Sequence, residues 1–449
     1  MTTATTPNPA PSISADSAAA ELTRARARTL DLLAPISESD QHRQVSELMS
    51  PLCWDLAHIA HYEELWLLRA LIDAAPTDPR FDDLYDAFKH PRRDRIALPI
   101  LGPDDARTFA ADVRARVLEV LDDIDLSGDD PLLTDAFVYG MVVQHEHQHI
   151  ETMLATIQLM SPDYAHPAAA LPPFWSASDP AYRADADQMR DLPAGAPTPN
   201  VDPAATCAVS GGPVTIGTSG TPWAYDNERP AHTAELAPFL IDRYPVSNGR
   251  YVAFIADGGY ETPAWWSETG WAWRLDAGLT APEFWQPEGG DTWSRLRFGR
   301  HEDLPAAEPV QHVGFHEASA FARWAGARLP TELEWEAAAA GASLAAANLG
   351  QQQFAPRPVG AAPHTASTCG AEQLFGDVWE WTSSRFGPYP GFAVFPYREY
   401  SEVFFGDEYV VLRGGSWATD PVAMRSTFRN WDYPIRRQIF SGFRCARDA

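Results

Sequence analysis

The chain has 449 residues, which is too many for one compact hydrophobic core, so we expect two domains. Hydrophobic residues make up 45% of it, including 16 Trp, 14 Tyr and 21 Phe, and this content argues against a disordered chain. The formal net charge of −27 argues against nucleic acid as a partner, because phosphate binding needs basic patches.

The cysteines indicate a reducing compartment. Cys53, Cys207, Cys369 and Cys445 are far apart and form no CxxC pair, so neither a disulfide scaffold nor a thiolate zinc site is expected. The N-terminal stretch has no cationic segment followed by an apolar one, and no apolar run approaches the ~18 residues that span a bilayer. We therefore expect a cytoplasmic monomer without membrane contact.

Residues 1–17 are rich in Thr, Pro, Ser and Ala, which predicts a disordered tail. Residues 18–165 then predict a four-helix bundle. The first helix begins at Asp16 or Ser17 as a cap and runs through Leu33. The other helices begin at Ser50-Pro51, near Gly102-Pro103, and at about residue 132.

Residues 166–205 are rich in Pro, Ala and Asp and predict a linker. From residue 206 to 449, short apolar runs alternate with Gly and Pro, and most of the tryptophans lie there. Residues 316–327 and 330–341 are the clearest helical segments in this part. The pattern is typical of an irregular α+β domain, so the whole chain is expected to be multidomain, α followed by α+β.

The run His145-Glu146-His147-Gln148-His149 is the densest chemical signal in the chain. On a helix, His145 and His149 lie one turn apart on one face, whereas His147 points the other way. An i, i+4 histidine pair is a common way to present two nitrogens to a metal ion. A third ligand has to come from another helix.

His58 is the preferred third ligand, because Trp54, Leu56 and Ile59 give it the apolar context of a bundle interior. His61, three residues further on, is the alternative. Three neutral imidazoles without a carboxylate give a site of net charge about +2 that favours an anionic ligand such as a thiolate. Zinc also fits these ligands.

Two groups of motifs resemble a known combination. The segments PLCWDLAHIAHYEELWLLR and HEHQHIETML resemble the DinB-like N-terminal bundle of the ergothioneine-biosynthetic sulfoxide synthases. The segments DNERPAH, DRYPVSNGRYVAF, ARLPTELEWEAA, GDVWEWT, LRGGSW and GFRCA resemble the C-type-lectin-like fold of formylglycine-generating enzymes. Together they cover nearly the whole chain after the tail.

The resemblance implies a non-haem iron(II) enzyme, a hercynine oxygenase, that uses O2 to join a thiol sulfur to C2 of hercynine (Nα-trimethylhistidine) as a sulfoxide. It implies His58, His145 and His149 as metal ligands and Tyr397 as a proton donor, with Tyr400 as the fallback. It also implies hercynine contacts from Gln148 and Asn430.

A basic cluster, Lys89 to Arg95, stands out in this acidic chain, and its guanidinium groups suit carboxylates. By resemblance, Arg92 and Arg95 together with Asp432 bind γ-glutamylcysteine, whose two carboxylates and one ammonium they complement in charge. Cysteine as the thiol donor, an O2-independent DinB-type metal-dependent thiol transferase, and a lectin-like binding protein are the alternatives.

Overall fold

A computed structural model describes residues 14–126, 128–160, 199–290 and 292–449 of the chain. These residues fall into two compact units, Met1–Ile150 and Glu151–Ala449. The expected tail lies almost wholly outside the described residues, as does most of the expected linker. The predicted domain boundaries therefore stay predictions.

The first unit is helical. Its longest helix ends in the second unit, which begins at Glu151. The α-helices are α1 (Ala15–Leu33), α2 (Glu38–His42), α3 (Leu52–Glu63), α4 (Ala70–Ile72), α5 (Phe81–Leu84), α6 (Pro103–Leu121) and α7 (Phe137–Leu159).

Local sequence explains where these helices begin. The hydroxyl of Ser14 accepts a hydrogen bond from the Ser17 backbone N–H and caps α1, so the cap lies before the predicted Asp16 or Ser17. Helix α6 begins at Pro103 with Asp104 and Asp105 in its first turn, as expected from proline geometry and the helix dipole.

The second predicted helix differs from the structure at both ends. Ser50 does not cap it; α3 begins at Leu52, and the Ser50 hydroxyl instead accepts a hydrogen bond from Arg95. After α3 the chain continues as a π-helix over Glu64–Arg69. Every residue of α3 is buried, so no solvent-facing stripe marks its orientation in the sequence.

Helix α7 carries the histidine run. It begins at Phe137, later than predicted, because Asp135 and Ala136 adopt positive φ angles at the end of a short 3-10 turn over Thr134–Ala136. That left-handed backbone breaks the helix that the apolar pattern extends back to residue 132.

The second unit mixes short helices with short strands. After the C-terminal part of α7 its helices are α8 (Asn248–Ala256), α9 (Glu268–Asp276), α10 (Phe315–Trp324) and α11 (Glu332–Ala338). Helices α10 and α11 were predicted, and α11 has a capping box of Thr331 and Glu334. Helices α8 and α9 were missed.

The described strands form four sheets. They are β1 (Thr206–Val209), β2 (Gly212–Ile216), β3 (His232–Leu236), β4 (Phe239–Asp242), β5 (Trp285–Gly289), β6 (Thr292–Arg297), β7 (Arg300–Asp303), β8 (Trp379–Arg385), β9 (Val410–Arg413), β10 (Asn430–Asp432), β11 (Ser441–Gly442) and β12 (Ala446–Asp448). The sheet orders are β10-β9-β8-β11, β1-β4-β12, β5-β6-β7 and β2-β3.

Large aromatic and ionic groups fill the interior of the second unit. Trp335, Trp381 and Trp417 are almost completely buried. Arg444 is buried too, and its guanidinium binds Glu380 with Nε–Oε2 and Nη2–Oε1 distances of 2.7 and 2.8 Å. The helical first unit and the mixed second unit fit the predicted multidomain α and α+β class. Among the described residues, no helix is both long and apolar enough to cross a bilayer.

Candidate metal centre

Three imidazoles converge in the helical unit. His58 lies on α3, and His145 and His149 lie one turn apart on α7. One ring nitrogen from each lies within 4.8 Å of the others, and the Nε2 atoms of His58 and His145 are 3.3 Å apart. The structure therefore brings together the three histidines selected from the sequence.

His61, the alternative to His58, lies outside this group. Its ring is also buried, but its Nε2 lies 3.5 Å from a carboxylate oxygen of Asp82. His147, which points away from His145 on the helix, is buried as well, with only 2% of its surface exposed.

Hydrogen bonds orient two of the three rings. The Nδ1–H of His58 donates to the carbonyl oxygen of Tyr85 at 2.7 Å. The Nδ1 of His149 lies 3.3 Å from Oδ1 of Asp55, a buried carboxylate on α3. A donor at Nδ1 leaves the Nε2 lone pair free, which is how partners behind a histidine prepare it for a metal.

Aromatic rings stack on two of the three imidazoles. The indole of Trp54 stacks on His58 with a centroid distance of 4.8 Å. The phenol ring of Tyr62 stacks on His145 at 3.8 Å. His145 is positioned by this stacking, since its buried Nδ1 has no hydrogen-bond partner in the described part of the chain.

The electrostatics favour neutral rings. Burial lowers the pKa of His58 well below its usual value, and the neighbouring His149 lowers it further. Burial and then His149 and His58 lower the pKa of His145 in the same way. Neutral imidazoles carry the lone pairs that a cation needs.

The donor set fits a divalent transition metal. Two nitrogens bound to one ion at about 2.1 Å, with ligand angles between octahedral and tetrahedral values, are roughly 3.0–3.4 Å apart. The observed 3.3 Å between the His58 and His145 nitrogens lies in that range. His145 and His149 are only partly buried, which leaves one side of the group accessible.

Comparisons with known proteins place the chain in a family. The model of the DinB superfamily matches residues 21–153, and that of the sulfatase-modifying factor enzyme 1-like domain matches residues 193–449. Hercynine oxygenase of Mycolicibacterium thermoresistibile is 47% identical over 96% of this chain and 94% of its own length. The hercynine oxygenases of Mycolicibacterium smegmatis and Mycobacterium tuberculosis are 47% and 46% identical over 97% and 96% of this chain, and over 100% and 98% of their own lengths.

This chain belongs to the hercynine oxygenase family. The two family models also confirm the predicted order of a DinB-like bundle and a formylglycine-generating-enzyme-like domain. Membership makes the chain an oxygenase-type enzyme, and the three-histidine group is its candidate metal site.

Arg92 and Arg95, which are expected to bind the thiol substrate, differ in their surroundings. Arg95 is 4% exposed and donates to the Ser50 hydroxyl at 2.7 Å and to the Ala87 carbonyl at 3.0 Å. Its guanidinium also lies 3.6 Å above the ring of Trp54. Arg92 is partly exposed and donates to the Leu48 carbonyl at 3.3 Å.

Other predicted residues lie in the second unit. Asp432 and Asn430 are on β10, where the Asp432 carboxylate already pairs with Arg436 at 2.9 Å. Tyr397 is partly buried beside Tyr400, whose ring stacks on the buried Tyr225 at 4.0 Å. Gln148, in the helical unit, precedes His149 and is partly exposed.

Trp54 was noted in the sequence as apolar context for His58, but three other residues that orient the histidines were missed: Asp55, Tyr62 and Tyr85. Helical spacing contained a signal for two of them, since Asp55 and Tyr62 are three and four residues from His58 and share its side of the helix. The Tyr85 carbonyl had no such signal, because a backbone oxygen is present at every position.

Proposed function

We propose that this chain is a non-haem iron(II), O2-dependent sulfoxide synthase. In this proposal it joins the sulfur of γ-glutamylcysteine to imidazole C2 of hercynine and forms γ-glutamyl-hercynylcysteine S-oxide. One C–H and one S–H bond are lost, one C–S and one S–O bond form, and O2 supplies the sulfoxide oxygen and is otherwise reduced to water. The observation that carries the proposal is the convergence of His58, His145 and His149 in a chain whose full-length relatives are hercynine oxygenases.

The three histidines would hold iron(II) through their Nε2 atoms, with Tyr85 and Asp55 fixing the rings behind them. Iron(II), when bound, supplies electrons to O2 and favours the thiolate form of a coordinated thiol. No carboxylate takes part in the group, so an anionic sulfur ligand is not repelled by the protein donors. Zinc fits the same nitrogens, but it cannot exchange electrons with O2.

Substrate recognition is proposed for the residues that the family resemblance implies. Arg92 and Arg95 would pair with the carboxylates of γ-glutamylcysteine, and Asp432 with its ammonium group. Gln148 and Asn430 would donate hydrogen bonds to hercynine through their side-chain amides. The Tyr397 hydroxyl would donate the proton that directs the reaction toward the sulfoxide. The chain would act on small molecules, as a cytoplasmic monomer.

The test uses anaerobically purified full-length protein loaded with ferrous iron. It is mixed with hercynine, γ-glutamylcysteine and oxygenated buffer, and the products are analysed by mass spectrometry while an electrode records O2. The expected product has the mass of both substrates plus O2 minus water, formed in equal amount to the O2 consumed.

Two parallel reactions separate the alternatives. With cysteine in place of γ-glutamylcysteine, a lower kcat/KM is expected, and a higher one would make cysteine the substrate. Without O2, no coupled product is expected. If zinc-loaded protein without O2 transfers the thiol sulfur to an electrophilic acceptor with release of that acceptor's leaving group, a metal-dependent thiol transferase replaces the proposal. If iron-loaded protein with O2 forms no coupled product from either thiol, the proposal is wrong.

A further inference from the structure

Next to the candidate metal centre, the helical unit buries four charged side chains. Glu63 and Glu146 are fully buried, and Arg26 and Arg114 are 6% and 7% exposed. We refer to these four residues as the Arg–Glu cluster. They come from four different helices, α3, α7, α1 and α6, and their formal charges cancel.

Each arginine bridges both carboxylates. Arg26 binds Glu146 through Nε at 2.8 Å and Glu63 through Nη2 at 2.8 Å. Arg114 binds Glu63 through Nε at 2.5 Å and through Nη2 at 3.0 Å, and the same Nη2 lies 3.1 Å from Glu146 Oε2. The two guanidinium forks thereby tie the α3 carboxylate to the α7 carboxylate.

Further hydrogen bonds fix the arginines and Glu146. Nη1 of Arg26 donates to the Ala110 carbonyl of α6 at 2.6 Å, and Nη1 of Arg114 donates to the Leu22 carbonyl of α1. The Thr29 hydroxyl of α1 donates to Glu146 Oε1 at 2.8 Å. Helices α1 and α6 thus brace the pair of helices that carry the histidines.

One carboxylate adjoins a candidate ligand in sequence, and the other adjoins the tyrosine whose ring stacks on that ligand. Glu146 directly follows His145 on α7. Glu63 directly follows Tyr62, whose ring stacks on His145, and lies on the same helix as His58. Adjacent helical residues point about 100° apart, so Glu146 and His145 occupy neighbouring sides of α7. On α3, Glu63 lies about 140° round the helix from His58 and about 100° from the ring of Tyr62.

Stability alone does not account for such a cluster. Replacing a buried ion network by apolar side chains of similar volume is often neutral or stabilising, because the charges lose their hydration. Guanidinium–carboxylate forks are directional, however, whereas apolar contacts tolerate small sliding and rotation. A metal group in which the His58 and His145 nitrogens are 3.3 Å apart needs such directional alignment.

We propose that Arg26, Glu63, Arg114 and Glu146 are positioning residues for the metal centre, fixing the register of α3 against α7 so that His58 meets His145 and His149. This inference rests on the proposed metal-binding function. It concerns how the ligands are placed, since no member of the cluster belongs to the three-histidine group.

The experiment titrates the full-length protein with Co²⁺ and records its visible absorption, which reports affinity and coordination geometry without catalysis. The variants are Arg26→Lys, which keeps the charge but loses the fork, and Glu146→Gln, which keeps the shape but loses the charge. The matched control is Arg444→Lys, which disrupts the buried Arg444–Glu380 pair of the second unit.

Arg26→Lys and Glu146→Gln are expected to weaken Co²⁺ binding about tenfold or more and to change the shape of the spectrum. Arg444→Lys is expected to leave both unchanged, even where it lowers the thermal midpoint equally. Folded Arg26→Lys and Glu146→Gln proteins with wild-type Co²⁺ affinity and spectrum would overturn the inference.

Thr29→Val keeps the test decisive if those variants do not fold, because it removes only the hydroxyl that binds Glu146. It should weaken Co²⁺ binding several-fold, and Thr29→Ser should restore it; wild-type binding by Thr29→Val would contradict the proposal. His58→Ala separates the two hypotheses. If it binds Co²⁺ like the wild type, the metal centre itself is wrong, whatever the cluster variants do.

Discussion

Nε2 of His58 lies 3.3 Å from Nε2 of His145, although 87 residues separate them along the chain. By themselves, two neutral imidazoles at this distance share at most one hydrogen bond. A shared cation with two nitrogen ligands needs this close approach. The residues around this pair lead to separate predictions about metal binding, substrate binding and stability.

Asp55 is expected to support metal binding through His149, whose Nδ1 lies 3.3 Å from its carboxylate. Asp55→Ala should weaken metal affinity about 10- to 100-fold, because the ring loses the acceptor that sets its tautomer and orientation. Asp55→Asn retains an oxygen acceptor and should lose less. The measurement is a Co²⁺ titration of each variant, and wild-type affinity in Asp55→Ala would contradict the expectation.

Arg92 and Arg95 are expected to respond differently to substitution. Arg92→Ala should raise KM for γ-glutamylcysteine about tenfold or more while the thermal midpoint stays unchanged, because a carboxylate partner is lost. Arg95→Ala should in addition lower the free energy of unfolding by about 2–4 kcal/mol, since its buried guanidinium bonds to Ser50 and Ala87. Steady-state kinetics and denaturant unfolding of both variants check this. Equal effects on stability would contradict it.

Tyr397 and Tyr400 should also separate by their variants. Tyr397→Phe is expected to shift the product from the sulfoxide toward the sulfinic acid of the thiol, because a proton donor is lost. Tyr400→Phe should leave the product ratio unchanged, since the Tyr400 ring packs on Tyr225. Mass spectrometry of the sulfoxide and the sulfinic acid measures the product ratio of each variant. An unchanged sulfoxide yield in Tyr397→Phe would reject Tyr397 as the proton donor.

The second unit should lose stability in acid through His312. Burial, with Arg295 and Arg437 nearby, lowers the pKa of His312 to about 3. The unfolded chain then binds a proton that the folded chain does not, so the contribution of His312 to stability is complete above pH ~6.5 and is lost as the pH falls from there toward 3.

The loss attributable to His312 should be about 2 kcal/mol at pH 5. His312→Asn does not titrate there, still offers a donor to the Arg437 carbonyl, and suits the positive φ of this position. Unfolding curves of both proteins at pH 7.5 and 5 give the difference. If the variant is as acid-sensitive as the wild type, His312 is not the cause.

Helix geometry explains which parts of the candidate metal centre could be predicted from the sequence. The spacing of His145 and His149 predicted one shared face, because that relationship is local. The choice between His58 and His61 depended on apolar context, which discriminates poorly on a helix whose residues are all buried. The folded chain brings His58 beside His145 and His149, which favours His58, whereas His61 faces Asp82.

The Arg–Glu cluster could not be predicted from the sequence. Its closest charged pair along the chain, Arg114 and Glu146, is 32 residues apart, and the pair Arg26 and Glu146 is 120 apart. Charged residues on amphipathic helices usually mark a solvated face, so local pattern places these side chains outside the core. Only the packing of four helices brings them together.

The short strands of the second unit escaped a detailed prediction for a different reason. β10 and β12 contain three residues each and β11 two, too few to display an alternating pattern. The motifs of that half therefore indicated its family resemblance more clearly than its secondary structure.

The most direct test of the central claim is the iron content of anaerobically loaded, desalted protein. Wild type and His61→Ala, the matched control on the same helix, are predicted to retain about one ferrous ion per chain, and His58→Ala little or none. Retention of the full wild-type iron content by His58→Ala would contradict a centre built from His58, His145 and His149.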